Sequence, residues 1–186
     1  MKNRKDFYFR KAKEEGYVAR SIYKLLEINK KYNLIKNDYR VLDLGSSPGS
    51  WVQACLKLNV KEIIGVDIID VKIKNPKFTF IKDDINKIDL ESLGRFDVVI
   101  SDMAPKTMGN KFLDSERSIE LSFKALEVAK TVLKKDGNFL VKVFQGSNFE
   151  ELAKKINSSF EFSKSYKPKS TRKESKEIYI IAKGLI

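Results

Sequence analysis

Short apolar runs alternate with amphipathic stretches along most of the chain, and this alternation predicts strands interleaved with helices. Residues 20–32 read as a helix with Ile22, Leu25, Leu26 and Asn29 on one side, ahead of a first strand at 41–44. A crossover helix follows at 50–58, with Ser50 as N-cap after the turn-forming Pro48-Gly49. Further strands are predicted at 63–67, 78–81 and 96–101, then a loop near Met108-Gly109-Asn110 and a long helix from about 115 to 133. Asp136-Gly137 reads as a turn into a strand at 139–144, and a helix at 149–156 leads to the last two strands, 160–163 and 178–182. Between those two, residues 164–176 carry one proline and seven charged side chains and read as a solvated loop. The order predicts an α/β fold, a doubly wound sheet with helices on both faces. No linker or repeat divides it, so residues 1–186 are expected to form one domain, with a basic segment of about 1–19 ahead of the core.

Lys142 breaks this pattern. It lies inside Phe139-Leu140-Val141-Lys142-Val143-Phe144, an apolar run suited to an interior strand, and shares a face with Leu140 and Phe144. An unpaired ammonium there costs several kcal/mol by rough estimate, so such a lysine is paired, aimed at a cleft or held partly neutral for chemistry. Candidate partners end two other apolar runs: Asp102 after 96–100, and Asp43 with Gly45 at the close of Val41-Leu42-Asp43-Leu44-Gly45. Polar groups at the ends of parallel strands are where open α/β sheets place their sites.

Composition narrows the chemistry. Histidine is absent and Cys55 is the only cysteine, which excludes a histidine base, an intramolecular disulfide and a multi-cysteine zinc site. Proton transfer is left to lysines and carboxylates, and no metal site is expected. With no run of about 18 apolar residues and no apolar signal segment, no membrane association is expected, and the compartment is the cytosol or an organelle interior.

The net charge of +12 is uneven: 12 Lys/Arg against 5 Asp/Glu in residues 1–40, 16 against 16 in 41–150, and 9 against 4 in 151–186. Two basic flanks around a neutral centre suit a polyanion such as a nucleic acid, although a lysine-biased proteome produces a similar excess.

The turn after the first strand, Asp43-Leu44-Gly45-Ser46-Ser47-Pro48-Gly49-Ser50-Trp51, is neither a Walker loop nor a GxGxxG fingerprint. Its glycines let backbone approach a ligand, and the helix behind it presents free N–H groups. Asp67, about twenty residues on, stands where a carboxylate accepts from a ribose diol. Asp84 ends the third strand, within reach of an adenine amine. Taken singly, each aspartate also reads as a cap or turn former.

Five ordered blocks carry a family resemblance: Ala19-Arg20-Ser21-Ile22-Tyr23-Lys24-Leu25, the turn from Asp43 to Trp51, Ser101-Asp102-Met103-Ala104-Pro105, Val141-Lys142-Val143-Phe144-Gln145-Gly146, and Ser175-Lys176-Glu177-Ile178-Tyr179-Ile180. From about Phe7 to Gly184 the chain resembles the FtsJ/RlmE family of S-adenosylmethionine-dependent RNA ribose 2′-O-methyltransferases. The resemblance implies a Rossmann-like class I methyltransferase fold with a seven-stranded, mostly parallel sheet. It places the family's catalytic tetrad on Lys24, Asp102, Lys142 and Glu177, and its cofactor contacts on Gly49, Trp51, Asp67, Asp84 and Asp102. Ser50 departs from the second glycine usual in bacterial members, and Ser46-Ser47 replaces a pair of small alanines. Asp83-Asp84 leaves two acids for the adenine position.

The chemistry implied is transfer of a methyl group from a sulfonium to an alcohol, with the hydroxyl in line and its proton removed as the oxygen attacks. Lys142 is expected as proton acceptor, with Lys24 as a neighbouring cation that favours the neutral amine. Asp102 and Glu177 orient and balance charge. Whether Lys142 mainly accepts a proton or mainly steers the hydroxyl stays open. Without the resemblance, Lys24 reads as a solvated charge, and Trp51 and Cys55 as core.

Asp-Met-Ala-Pro after the fourth strand lacks the Asn/Asp-Pro-Pro-aromatic of base-N methyltransferases and the nucleophilic cysteine of cytosine-C5 enzymes. The expected activity is methylation of a uridine of large-subunit (23S-type) rRNA. A tRNA anticodon-loop 2′-O-methyltransferase and a catalytically inactive RNA-binding subunit stay open as alternatives. A monomeric cytoplasmic protein acting on rRNA in a ribosomal particle is the corresponding expectation.

Overall fold

The computed structural model describes residues 3–105, 109–146, 148–172 and 174–186. Seven strands form one sheet in the order β3-β2-β1-β4-β5-β7-β6. These are β1 (Arg40–Leu44), β2 (Glu62–Asp67), β3 (Phe78–Lys82), β4 (Phe96–Ser101), β5 (Leu133–Phe144), β6 (Phe160–Tyr166) and β7 (Glu177–Leu185). The first five in that spatial order run parallel, and β7 lies antiparallel to both β5 and β6. The helices are α1 (Asn3–Glu14), α2 (Ile22–Tyr32), α3 (Ser50–Lys57), α4 (Lys111–Val132) and α5 (Phe149–Asn157).

The central strands read as continuous apolar runs because both faces are buried. Val41, Ile63, Val98, Ile100, Leu140 and Ile181 pack against Ile22, Leu25 and Ile28 of α2 and Trp51, Val52 and Cys55 of α3. The alternate residues Leu42, Ile64, Val99, Phe139, Val141 and Val143 pack against α4 and α5 through Ala125, Ala129, Leu152 and Ile156. Each fully buried leucine or isoleucine contributes about 1.5–3 kcal/mol relative to exposure.

Several boundaries differ from the sequence expectation for identifiable reasons. Ile28, not Leu26, completes the buried stripe of α2, and buried Asn29 is satisfied by exchanging hydrogen bonds with the Ile35 backbone at 3.0 and 2.7 Å. Ser50 does not cap α3; Gly49 holds the cap position and Ser50 is the first helical residue. α4 starts at Lys111, ahead of the expected 115, because the Asn110 side chain accepts from the N–H groups of Phe112 and Leu113. Met108 of the expected loop lies outside the described residues.

Asp136-Gly137 does not precede β5 but lies within it, where the register against β4 shifts between Phe96 and Val98 and Asp136 takes φ 63°. The segment 164–176 is not a free solvated loop. Its first residues extend β6, Ser170 and Thr171 are buried, and Glu27 of α2 accepts from Tyr166 Oη, Lys169 N, Ser170 N and Ser170 Oγ. The basic N-terminal segment forms helix α1, which the hydrophobic pattern does not predict; Tyr8 packs on Tyr23 of α2, and Ala12 is buried.

Candidate active site

The strand order reverses between β1 and β4, and the polar groups converge where both end. Gly45 turns the chain out of β1 at φ 75°, and a Cβ there would lie 2.8 Å from the backbone N and Cα of Met103. Glycine is thus required by conformation and by the close passage of the β4 exit. The Asp102 N–H donates to the Leu44 carbonyl at 3.0 Å, and Gly45 N donates to the Val66 carbonyl at 2.9 Å, which ties the three strand ends together.

Asp67 closes β2 and braces the turn, its Oδ2 accepting from Ser47 N and its Oδ1 from Ile69 N, both at 2.9 Å. Each carboxylate oxygen keeps acceptor capacity for a ligand. Asp43 is fully buried, and neither of its oxygens has a hydrogen-bond partner among the described residues. Burial, then the charges of Asp102 and Asp67, push its carboxyl well above the usual range. A buried carboxyl left unsatisfied beside two others marks a position suited to a cationic or hydrogen-bond-donating ligand. Of the two partners that the sequence offers Lys142, Asp43 and Asp102, the structure selects Asp102.

Lys142 is 7% exposed. Its Nζ donates to the Asp102 carbonyl oxygen at 2.6 Å and forms an ion pair with Asp102 Oδ1 at 2.9 Å. The end of β5 is pinned from the opposite face by α4, where Ser122 Oγ donates to the Lys142 carbonyl and Ser118 Oγ accepts from Phe144 N. In the antiparallel register Lys142 faces Tyr179 and Phe144 faces Glu177, so Lys142, Tyr179 and Glu177 share the α2 side of the sheet.

Lys24 reaches that side from α2. Its Nζ meets Glu177 Oε1 at 2.5 Å, the same oxygen that accepts from Tyr179 Oη at 2.5 Å. Burial acts to raise the Glu177 carboxyl, but Lys24, Tyr179 and Lys142 together outweigh it and hold the group below its ordinary range. Lys24 is therefore no solvated charge, and its own charge is balanced by Glu177. Burial, with Asp102 and Glu177, raises the Tyr179 phenol well above its ordinary value.

The four tetrad positions lie together as two linked ion pairs, Lys142–Asp102 and Lys24–Glu177. Gly49 takes φ 106°, and a Cβ there would meet Ile73 Cδ1 at 2.4 Å. The Trp51 side chain belongs to the core, with Nε1 donating to the Ser21 carbonyl, so only its main chain at the start of α3 is available to a ligand. Asp84 forms a turn, its Oδ1 accepting from Asn86 N and Nδ2, while Asp83 is exposed.

Three further features of the site are less visible in the sequence. Asp43 interrupts an apolar strand as Lys142 does, and that interruption signals a site residue even though its role differs from that of a lysine partner. Tyr179 looks like an ordinary strand aromatic, and only the register reveals its hydroxyl partner. The Ser21 and Ser50 hydroxyls meet at 2.6 Å although 29 residues separate them, with no signal in the sequence.

The profile of the FtsJ-like methyltransferase family matches residues 17–185. A Methanococcoides burtonii protein named ribosomal RNA large subunit methyltransferase E is 43% identical across all of this chain and 72% of its own length. A protein of the same name from Desulfosudis oleivorans is 46% identical over 95% of this chain and 88% of its own. Among solved structures, a Plasmodium falciparum chain described as a putative ribosomal RNA methyltransferase superposes with a TM-score of 0.79 at 30% identity, covering 91% of this chain and 98% of its own.

Proposed function

The chain belongs to the FtsJ-like methyltransferase family, and we propose that it methylates a ribose 2′-hydroxyl of large-subunit ribosomal RNA with S-adenosylmethionine as donor. The observation that carries this reading is the buried Lys142 amine, held by Asp102 where β4 and β5 end, beside the glycine turn that leaves β1.

The residues present suit the donor. Asp43 supplies two buried, unpartnered carboxyl oxygens, and Gly45 and Gly49 take positive φ where the chain turns from β1 into α3. Asp67 would accept from the ribose diol, the main-chain N–H of Trp51 and the Gly49 turn would approach the ligand, and Asp84 would serve the adenine end. When bound, S-adenosylmethionine supplies a methyl group made electrophilic by its sulfonium.

The chain's own residues position the RNA and manage one proton. The Asp102 carbonyl accepts a hydrogen bond from the Lys142 amine, and the Asp102 carboxylate stands beside it as an ion partner; together they orient the amine. Once the ammonium has given a proton to solvent, the neutral amine carries a lone pair, which takes the 2′-hydroxyl proton as the oxygen is methylated. Lys24 and Glu177, locked through Tyr179, hold the neighbouring polar surface rigid and nearly charge-balanced, which keeps the hydroxyl oriented.

The test supplies labelled S-adenosylmethionine to the purified chain with rRNA and tRNA from a strain lacking the gene, followed by primer-extension mapping. A single 2′-O-methyl in large-subunit rRNA is expected. Methylation confined to the tRNA anticodon loop reassigns the substrate, and binding to RNA without any transfer overturns the enzymatic reading.

A further inference from the structure

A cavity of about 560 Å³ opens at the pole of the sheet opposite the tetrad. Resting on the reading of the chain as an RNA ribose methyltransferase, we propose that it seats one unpaired nucleotide of the substrate RNA, remote from the methylated ribose. The base lies against Phe162 and Tyr32, and the phosphate lies on the lysines around them.

The walls come from the last turn of α2, the connection into β1, and the ends of β5, β6 and β7 that lie away from the site. On β7, Lys183 stands six residues beyond Glu177, about 20 Å along the strand at roughly 3.3 Å per residue. Both side chains lie on the α2 side, as alternation requires of positions an even number apart. Cavity and tetrad thus share one face of the sheet, with Lys24 near the start of α2 and Lys31 in its last turn. About 20 Å is the rise of roughly six stacked nucleotides at 3.4 Å each, so the nucleotide seated here is not a neighbour of the target.

Lys31, Lys36 and Lys183 line the cavity, and none of them forms an ion pair among the described residues. Neutral groups hold them instead. Lys31 Nζ lies 4.3 Å from the Tyr166 ring centroid and 5.4 Å from that of Tyr32, and Lys36 Nζ lies 5.9 Å from that of Tyr39. Lys183 Nζ donates to the Tyr32 carbonyl at 3.3 Å. Cations fixed in this way keep their charge for an incoming anion. The first two belong to the basic N-terminal flank of the sequence and the third to the C-terminal one, so the fold joins the two flanks here. Asp136 and Glu161 line the same cavity and likewise stand outside any ion pair among the described residues. They disfavour a ligand that is anionic throughout, and they accept from ribose hydroxyls and from the amino and imino groups of a base. A nucleotide offers both ends, a phosphate to the lysines and donors to the acids.

The aromatic side chains favour a base over other uncharged groups. Phe162 is 44% exposed, and its ring centroid lies 6.4 Å from that of Tyr32 with the planes inclined at 41°. Tyr32 in turn meets Tyr166 edge to face at 5.5 Å, which fixes its ring. An open aromatic ring beside unpaired lysines is a surface on which an unpaired base stacks whatever its identity. The volume lies within the range of about 300–1,000 Å³ that small-ligand clefts occupy, which accommodates one nucleotide.

The test measures methyl transfer by the full chain on an rRNA fragment that the wild type methylates, and on copies made abasic at one nucleotide at a time on either side of the target. Phe162 and Lys36 are exposed, so truncating them spares the core. Phe162→Ala is expected to raise KM about 5-fold, the lower range for loss of one base–aromatic stack, with kcat and cofactor affinity unchanged. Phe162→Trp should keep the native KM, whereas Phe162→Leu, apolar but without a ring, should lose as much as alanine. Lys36→Ala should lower the steepness of the salt dependence by about one. At one abasic position not adjacent to the target, the wild type should show the same loss and Phe162→Ala should add under about 2-fold to it. A native KM in Phe162→Leu, or an alanine penalty that persists at every abasic position, overturns the assignment. A penalty found on large ribosomal subunits but absent from the naked fragment points to a protein partner and overturns it as well. Calorimetry with uridine 5′-monophosphate at saturating S-adenosylhomocysteine separates the remaining source: binding lost in Phe162→Ala while the KM for RNA does not move means a free nucleotide and overturns the RNA assignment. Absence of methyl transfer by the wild type instead overturns the enzymatic reading on which it rests.

Discussion

Ser21 and Ser50 share a hydrogen bond of 2.6 Å between their hydroxyls, and it joins the start of the helix bearing Lys24 to the turn that ends at Gly49. The Trp51 indole reinforces it by donating to the Ser21 carbonyl at 3.2 Å. Glycine at position 50, as in the resembling bacterial proteins, has no hydroxyl with which to make this link. Ser50→Ala is expected to destabilise the chain by about 0.5–1.5 kcal/mol, the usual net worth of one hydrogen bond. Ser21→Ala with Ser50→Ala should cost less than the sum of the two single changes, as a denaturant double-mutant cycle would measure. Additive losses would mean that the two hydroxyls act separately.

Asp43 is a trade between stability and binding. Its carboxyl is raised by burial, so the folded chain holds the proton more tightly than the unfolded chain does, and its contribution to stability is lost as pH rises from the unfolded value towards the folded one. Asp43→Asn should raise the melting temperature of the ligand-free protein at neutral pH, by about 2–4 °C for each kcal/mol recovered in a chain of this size. The same substitution should weaken S-adenosylmethionine binding in calorimetry. Unchanged stability and unchanged affinity together would remove Asp43 from the site.

The parallel strands are legible in the sequence because burial on both faces leaves unbroken apolar runs, and the expected bounds of β4 match the observed ones to the residue. Within the tetrad, Lys142 stands out because its charge conflicts with its strand, whereas Lys24 and Glu177 look unremarkable alone and emerge only through family resemblance. What stays hidden depends on pairings between distant segments. Glu27 reads as a helix-surface acid until it meets Tyr166 and Ser170, 139 and 143 positions away. The extended start of β5 is equally obscure, because Asp136-Gly137 carries turn chemistry that pairing with β4 absorbs as a register shift.

The basic helix α1 is expected to supply a separable part of RNA binding. Lys11 lies over the Tyr23 ring at 5.1 Å and near Glu15, while Lys13 is exposed. Lys11→Glu with Lys13→Glu should weaken RNA binding and lower the steepness of its salt dependence by about one for each phosphate that α1 no longer neutralises. Cofactor affinity should not move. An unaltered salt slope would take α1 out of the RNA surface.

Glu177 links the site to acid stability. Its carboxyl is held below the ordinary range, so it binds protons less readily when folded than when unfolded. The stability it contributes is complete above the unfolded carboxylate value and is lost as pH falls through the lower folded one. Urea titrations across that acidic window should show this loss in the wild type and a shallower one in Glu177→Gln. Identical profiles would place the acid sensitivity elsewhere.

Lys142 separates proton transfer from positioning. Lys142→Ala should retain cofactor binding, since its amine is bonded to Asp102 and not to the Gly45 or Asp67 side of the turn, yet methyl transfer should fall by roughly 100-fold or more, the lower end for loss of a general base. Lys142→Arg keeps a cation beside Asp102 but keeps its proton at any working pH, so it should fail almost as badly. Single-turnover transfer to rRNA at saturating donor isolates this step from product release. Near-normal turnover in the arginine variant would make a neutral-amine base untenable and leave residue 142 as an electrostatic positioner of the hydroxyl.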